Sequence, residues 1–357
     1  MTEPPGAARR IRVLVVDDSA LVRTVLARGL AADPEIEVIG TAADAYQARD
    51  FIVRESPDVM TLDIEMPKMD GLSFLQILMA KRPVPTIVVS SLSPHGSKLA
   101  IRALDEGAVD VVAKPGLDVA NGLERMMSHL ITRIKRAAKM PVAKRASLVP
   151  TSEATPRPLE ETSDRVIALA ASTGGVAALG RILPLFPASS PGIVIVQHMP
   201  RGFTRDFAER LDAECAMRVS EAKDGDRVLV GHVLVAPGGD RHLELRRSGG
   251  EYLVALVPAP PVSGHVPSVD VFFESVARSA GDNAVGCILT GMGGDGANGL
   301  LAMRLRGAKT FAQDRETCAV WGMPAAAVSC GAVEACVPLD EIPARLLAAA
   351  RRRPDRN

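Results

Sequence analysis

Three residues of the types used in acyl transfer occupy equivalent places in the second half of the chain. Ser172 follows the apolar run "RVIALAA", His198 follows "GIVIVQ", and Asp295 lies in "LTGMGGDGANG" just after "AVGCI". Each run has the length and composition of a buried parallel strand. The C-terminal ends of such strands share one sheet edge, so a hydroxyl, an imidazole and a carboxylate are expected there together. Acyl transfer needs those three: a nucleophile, a base to take its proton, and an anion to fix the base's tautomer. The glycines around Ser172 and Asp295 leave backbone N–H groups free to face an oxyanion. Singly, each residue has a plainer meaning. Ser172 could cap the following helix, Asp295 could form a turn, and His198 could be a satisfied core histidine. Of the six histidines, however, only His198 ends a strongly apolar strand beside the other two; His265 and His242 fall in loop-like stretches.

Two other chemistries compete for these residues. The strand-to-helix turn "AASTGGV" resembles half of a dinucleotide fingerprint, in which backbone N–H groups hold a phosphate. Its spacing is not G-x-G-x-x-G, and the next strand ends in Gln197 and His198 where a ribose-binding acid is needed. A cysteine nucleophile is the second. Cys287 lies inside a strand, and Cys318 in "DRETCAVWGMP" has no base identifiable nearby.

The first half carries a different constellation. Asp17 and Asp18 end the run "IRVLVVDD", Asp63 ends "DVMTLDI", Ser90 ends "TIVVS", and Lys114 ends "VDVVAK". Clustered carboxylates repel and favour a hard divalent cation with oxygen ligands, Mg2+ in particular. With a cation and a hydroxyl on the same edge, the set suits an aspartate that accepts a phosphoryl group. Strand-end Asp and Ser are common turn formers, but five placed together argue for a site.

The elements that must hold these residues follow from the apolar pattern. "IRVLVVDD", "IEVIGTA", "DVMTLDI", "TIVVSS" and "VDVVAKP" alternate with amphipathic segments, which predicts a doubly wound five-stranded parallel sheet covered on both faces. A last helix carries Leu123, Met126, Met127, Leu130, Ile131 and Ile134 as one stripe. Prolines 141, 150, 156 and 158 then interrupt a polar stretch without apolar period, which reads as a linker. Strands resume at "RVIALAA", "GIVIVQH", "HVLVAPG", "YLVALV" and "AVGCILTG", giving a second, mainly parallel α/β domain. The expected domains are residues 10–137, a linker at 138–164, and residues 165–352.

Composition narrows the function classes. The 357 residues include 42 basic and 42 acidic ones, so no chain-wide charge draws the protein to nucleic acid or an anionic membrane. No run approaches the ~18 apolar residues of a membrane span, and the short "VLVV" run is a strand rather than a signal-peptide core. Five cysteines, an odd number with no C-x-x-C pair, suit reduced thiols and a cytoplasmic location.

Two resemblances rest on these motifs. "VVDDSA", "LDIEMPKMDG", "IVVSS" and "AKP" resemble the signature of response-regulator receiver domains, a flavodoxin-like fold. That resemblance implies that Asp63 is the phosphoacceptor, that Asp17 and Asp18 join it in holding Mg2+, that Ser90 and Lys114 contact the phosphoryl group, and that the Lys114–Pro115 peptide is cis. Val111 stands where receivers usually carry an aromatic switch residue. Over the whole chain, "AASTGGV", "QHMPRGFTRDFAERL", "APGGDRHL", "PSVDVFF", "LTGMGGDGANGL" and "WGMPAAAV" resemble the chemotaxis protein-glutamate methylesterase family, CheB. This implies hydrolysis of γ-glutamyl methyl esters on methyl-accepting chemoreceptors, with methanol released, and deamidation of particular receptor glutamines. Ser172 would attack, His198 would carry the proton and Asp295 would orient it, with the Met292 N–H and Thr173 stabilising the oxyanion and no metal at that step. A chemotaxis histidine kinase would phosphorylate Asp63, weakening the packing of the receiver over the esterase cleft. Val266 and Ala325 stand where family members often have arginine. A DNA-binding output is disfavoured because no basic recognition helix is visible; a nicotinamide enzyme lacks its ribose acid; and an inactive adaptor would not need all three triad residue types.

Overall fold

The structure, a computed structural model, describes residues 9–91, 93–114, 119–140 and 164–351. The chain divides into two compact units between Ser147 and Leu148. Most of the expected 138–164 linker, like the Lys114–Pro115 bond, lies outside the described residues.

The first unit runs β1 Ile11–Val16, α1 Ala20–Ala31, β2 Ile36–Ala42, α2 Ala45–Glu55, β3 Val59–Leu62, α3 Gly71–Lys81, β4 Thr86–Ser90, α4 Pro94–Asp105, β5 Asp110–Ala113 and α5 Val119–Ala137. Its five strands are all parallel in the order β2-β1-β3-β4-β5, the flavodoxin-like order with its switch point between β1 and β3. The helices start where the sequence supplies an acceptor: Ser19, Asp44, Asp70 and Ser93 each accept a first-turn backbone N–H. The apolar stripe of α5 meets the sheet, with Met126, Leu130 and Ile134 buried beside Val13, Val15, Ile87 and Val89.

The second unit contains β6 Val166–Ala171, α6 Gly175–Ile182, β7 Gly192–Gln197, α7 Phe203–Glu214, β8 Arg218–Glu221, β9 His232–Val235, β10 Arg241–Ser248, β11 Glu251–Pro258, α8 Val269–Ser279, β12 Ala284–Ile288, α9 Ala297–Leu305, β13 Lys309–Gln313, α10 Met323–Ser329, β14 Ala335–Val337 and α11 Ile342–Ala350. Seven strands form a parallel sheet in the order β14-β13-β12-β6-β7-β9-β8. The segment "YLVALV" is not part of that sheet. It lies in β11, paired antiparallel with β10 in a separate hairpin. Four strands, β8, β10, β13 and β14, are absent from the apolar-run reading because they are short or carry charges on an exposed face.

Strands β12, β6 and β7 are adjacent at the centre, so the loops after them meet at one edge. The register sets Ala171 opposite Gln197 and Ile288 beside Ala170, which levels the residues that follow. The glycine after the β6 turn is there for fit. A Cβ on Gly175 would stand 2.1 Å from Gln197 Oε1 and 2.6 Å from Ala171 Cβ. Gln197 is buried and its amide already donates two hydrogen bonds, so it has no room to retreat. Gly175→Ala is therefore expected to cost about 1–3 kcal/mol, seen as a lower urea midpoint at unchanged slope; an unchanged midpoint would show that the strand end yields.

Candidate active site

Ser172 is the first residue beyond β6 and is 8% exposed. Its backbone N–H donates to Thr290 O at 3.0 Å, tying it to the loop after β12. Helix α6 is capped by Gly174, with φ of +79° and no side-chain capping bond. The hydroxyl of Ser172 is thus not a helix cap. Gln197, the last residue of β7, donates through Nε2 to Ser172 O at 2.9 Å and to His198 O at 3.1 Å. The His198 N–H in turn bonds Ala171 O at 3.1 Å, so the two strand ends are laced together.

The imidazole of His198 is 6% exposed and its Nε2 lies 2.9 Å from Asp295 Oδ2. Asp295, 2% exposed, also accepts from Ser268 Oγ at 2.8 Å, the Val269 N–H at 2.8 Å and the Asp270 N–H at 3.1 Å. Those N–H groups begin helix α8, where the helix dipole favours an anion. Burial alone would raise the Asp295 carboxyl. The His198 bond and charge and the two backbone N–H donors outweigh it and hold the group well below the usual carboxylate range. With Nε2 engaged by the carboxylate, Nδ1 of His198 is the remaining nitrogen, buried and without a hydrogen-bond partner among the described residues.

Sequence and structure agree in bringing His198 and Asp295 into contact and in placing Ser172 at the same edge. Among the described residues Ser172 Oγ makes no hydrogen bond to His198. Thr173 is buried, and its carbonyl accepts from Thr290 Oγ1 at 3.0 Å. No described hydrogen bond uses the backbone N–H of Thr173, Gly174 or Met292, so three donors beside Ser172 are uncommitted. Burial pushes the Cys318 thiol up to about 12, with Asp314 and Cys336 adding to the rise, and drives the enclosed Cys287 thiol upward too. Both cysteines are therefore poor thiolate nucleophiles.

Some participants were not visible in the residue pattern. His265, assigned to a loop, stacks on His198 with ring centroids 3.8 Å apart and planes at 6°. Ser268 could have been read as a helix cap before "VDVFF", but nothing in the chain signals its bond to a carboxylate in a distant loop. Val266 and Ala325 are both half-buried.

In the first unit, Asp17, Asp18, Asp63, Ser90 and Lys114 all reach the C-terminal edge. Lys114 Nζ lies 2.6 Å from Asp63 Oδ2 and 2.9 Å from Asp17 Oδ2. Burial raises the Asp63 carboxyl, and the negative Asp17 adds to the rise, against the lowering effect of Lys114. Lys114 is itself raised: burial opposes its charge, but its bonds to Asp63 and Asp17 prevail. Ligand oxygens of Asp17, Asp18 and Asp63 lie within 4.8 Å of one another. Three carboxylates against one ammonium leave an uncompensated negative charge among hard oxygen donors, a fit for Mg2+. The Ser90 hydroxyl donates to Gly96 O at 3.1 Å rather than to Asp63. Val111 is buried in β5 opposite Val88.

A five-stranded unit with an acidic edge, followed by a parallel α/β unit with a buried histidine–aspartate pair, defines a receiver-coupled enzyme class. The CheB methylesterase family matches residues 167–346, and the response regulator receiver domain residues 13–125. The chain is 53% identical over 344 residues to a protein-glutamate methylesterase/protein-glutamine glutaminase of Syntrophotalea carbinolica, across 95% of this chain and 97% of that one. It is 54% identical over 345 residues to protein-glutamate methylesterase/protein-glutamine glutaminase 4 of Anaeromyxobacter dehalogenans, covering 96% of each. The crystal structure of the Thermotoga maritima CheB methylesterase catalytic domain is similar to 52% of this chain and 98% of its own, at 37% identity and a TM-score of 0.51. The chain belongs to the CheB methylesterase family. No described helix is long and apolar enough to cross a membrane.

The depressed Asp295 carboxyl links folding to pH. Its folded value lies below the unfolded one near 3.9, so its stabilising contribution is full above that range and drains as pH falls. The stability advantage of wild type over Asp295→Asn, from urea unfolding, is expected to shrink from about pH 5 toward pH 3. An advantage constant across that interval would contradict an ionised, paired Asp295.

Proposed function

We propose that the chain is a phosphorylation-regulated hydrolase acting on methyl-accepting chemoreceptors in chemotaxis adaptation. It removes methyl esters from γ-glutamyl methyl ester side chains, releasing methanol, and deamidates particular glutamines. The reading rests above all on the His198–Asp295 pair standing at the sheet edge beside Ser172. The names of the relatives support the substrate class.

The geometry supports an order of events. Asp295 holds the Nε2–H tautomer of His198, leaving the Nδ1 lone pair to take the Ser172 proton. Ser172 Oγ bonds to the ester carbonyl carbon, and the carbonyl electron pair moves onto oxygen. The uncommitted N–H groups of Met292 and Thr173 receive that oxyanion. Collapse breaks the bond to methoxide, which takes the proton from His198 and leaves as methanol. Water, deprotonated by His198, then attacks the acyl-serine; Ser172 is regenerated and the glutamyl carboxylate is freed. With glutamine the leaving group is ammonia, and the remaining steps are the same. Metal is not needed in this sequence.

In the receiver, residues 10–137, Asp63 is the phosphoacceptor and a chemotaxis histidine kinase the donor. Asp17, Asp18 and Asp63 would hold Mg2+, which when bound neutralises charge on the incoming phosphoryl group. Lys114, already paired with Asp63, is placed to follow that charge, and Ser90 must turn from Gly96 to reach it. Residues 138–164 link this domain to the catalytic one at 165–352. The location is cytoplasmic, where the receptor helices and the kinase meet the enzyme; the five cysteines are all unpaired.

Methanol release from methylated receptor membranes tests both halves. Ser172→Ala is expected to lower release by about 10³-fold or more; equal release would refute the serine assignment. A small phosphodonor should stimulate wild type and leave Asp63→Asn unstimulated, and full stimulation of Asp63→Asn would overturn the regulatory reading.

A further inference from the structure

We infer that His265 is a positioning residue for His198, held in place by a strap that His242 clamps at both ends. The inference rests on His198 being the base of the proposed reaction.

The strap is the segment between β11 and α8. Near its start, Pro260 O lies 2.9 Å from His242 Nε2, and at its end the Ser268 N–H donates to His242 Nδ1 at 3.0 Å. His242 is 1% exposed in the hairpin strand β10, and these two bonds fix its tautomer: Nε2 donates, Nδ1 accepts. Between the clamped points, Val262 and His265 exchange backbone hydrogen bonds at 2.9 and 3.2 Å, folding the strap back on itself. This presents the His265 ring flat against His198 at 3.8 Å.

That contact matters because the one described side-chain hydrogen bond of His198 runs along the ring's edge, from Nε2 to Asp295, while His265 covers a face. One hydrogen bond leaves rotation about the Nε2 contact available, and such rotation would turn Nδ1 out of its proposed proton-accepting position. A parallel ring on one face removes that freedom. It also screens the His198–Asp295 pair from water, which strengthens the pair's attraction. The strap ends at Ser268, Val269 and Asp270, the three donors that hold Asp295. One segment therefore aligns both members of the pair, the imidazole by stacking and the carboxylate by hydrogen bonds.

The test is steady-state methanol release from methylated receptor membranes by the full chain, with His265→Ala, His265→Phe and His265→Asn. A misdirected base lowers turnover rather than binding. His265→Ala should lose about tenfold or more in kcat with KM within about twofold. Phenylalanine, which keeps the flat face and no nitrogen, should restore most of kcat, and asparagine should not. In a His198→Ala background, His265→Ala should change the residual rate less than about twofold, since the effect runs through His198. A kcat for His265→Ala equal to wild type, a phenylalanine variant as slow as alanine, or a full further loss in the His198→Ala background would each overturn the inference. If alanine lowers the urea midpoint, the phenylalanine–asparagine contrast decides. Ser172→Ala, assayed alongside, separates this outcome from failure of the triad itself.

Discussion

A carboxylate buried in an apolar unit must stay ionised, and the structure around Asp295 exists to keep it so. Taking such a charge out of water costs several kcal/mol after relaxation; four donors offset that cost here. Three come from the start of α8 and its cap, Ser268, Val269 and Asp270, and the fourth is His198. The arrangement is reciprocal. Asp270, in the first turn of α8, accepts the Gly299 N–H of α9 at 2.8 Å, while Asp295, just before α9, accepts from α8. The two helices are thus joined through each other's N-termini, and the Asp295 carboxylate is one half of the joint.

The same economy governs the other edge of the site. Gln197 binds the ends of β6 and β7 through one amide, and Ser172 is tied to β12 through Thr290. Ser172, His198 and Asp295 therefore stand in the segments that follow three adjacent central strands, β6, β7 and β12. The receiver solves a parallel problem with the opposite emphasis. There two buried carboxylates share a single lysine and leave negative charge uncompensated, an arrangement that suits a hard divalent cation.

Much of this was legible in the sequence because buried parallel strands are continuous apolar runs, and residues at their C-terminal ends share an edge. Ser172, His198, Asp63 and Lys114 could be placed by that rule alone. Asp295 needed only one further loop. What stayed hidden was set by contacts between distant segments. His265 and His242 lie in polar or loop-like sequence, and their contacts depend on the segment after β11 bonding back to β10 and reaching His198. The hairpin strand "RHLELRRS" alternates with charge on its exposed face, so it carried no apolar run. Ser90 shows the converse: its position was correct, but its hydroxyl is spent on Gly96, a detail of loop geometry that composition does not encode.

The proposed function depends on Ser172 being made nucleophilic by the His198–Asp295 pair. Peptide mapping by mass spectrometry after treatment with a serine-directed fluorophosphonate tests it directly. The account predicts a single adduct on the peptide containing Ser172, formed rapidly in wild type and slowly in His198→Ala. An adduct on another residue, or equal labelling of Ser172 without His198, would contradict it.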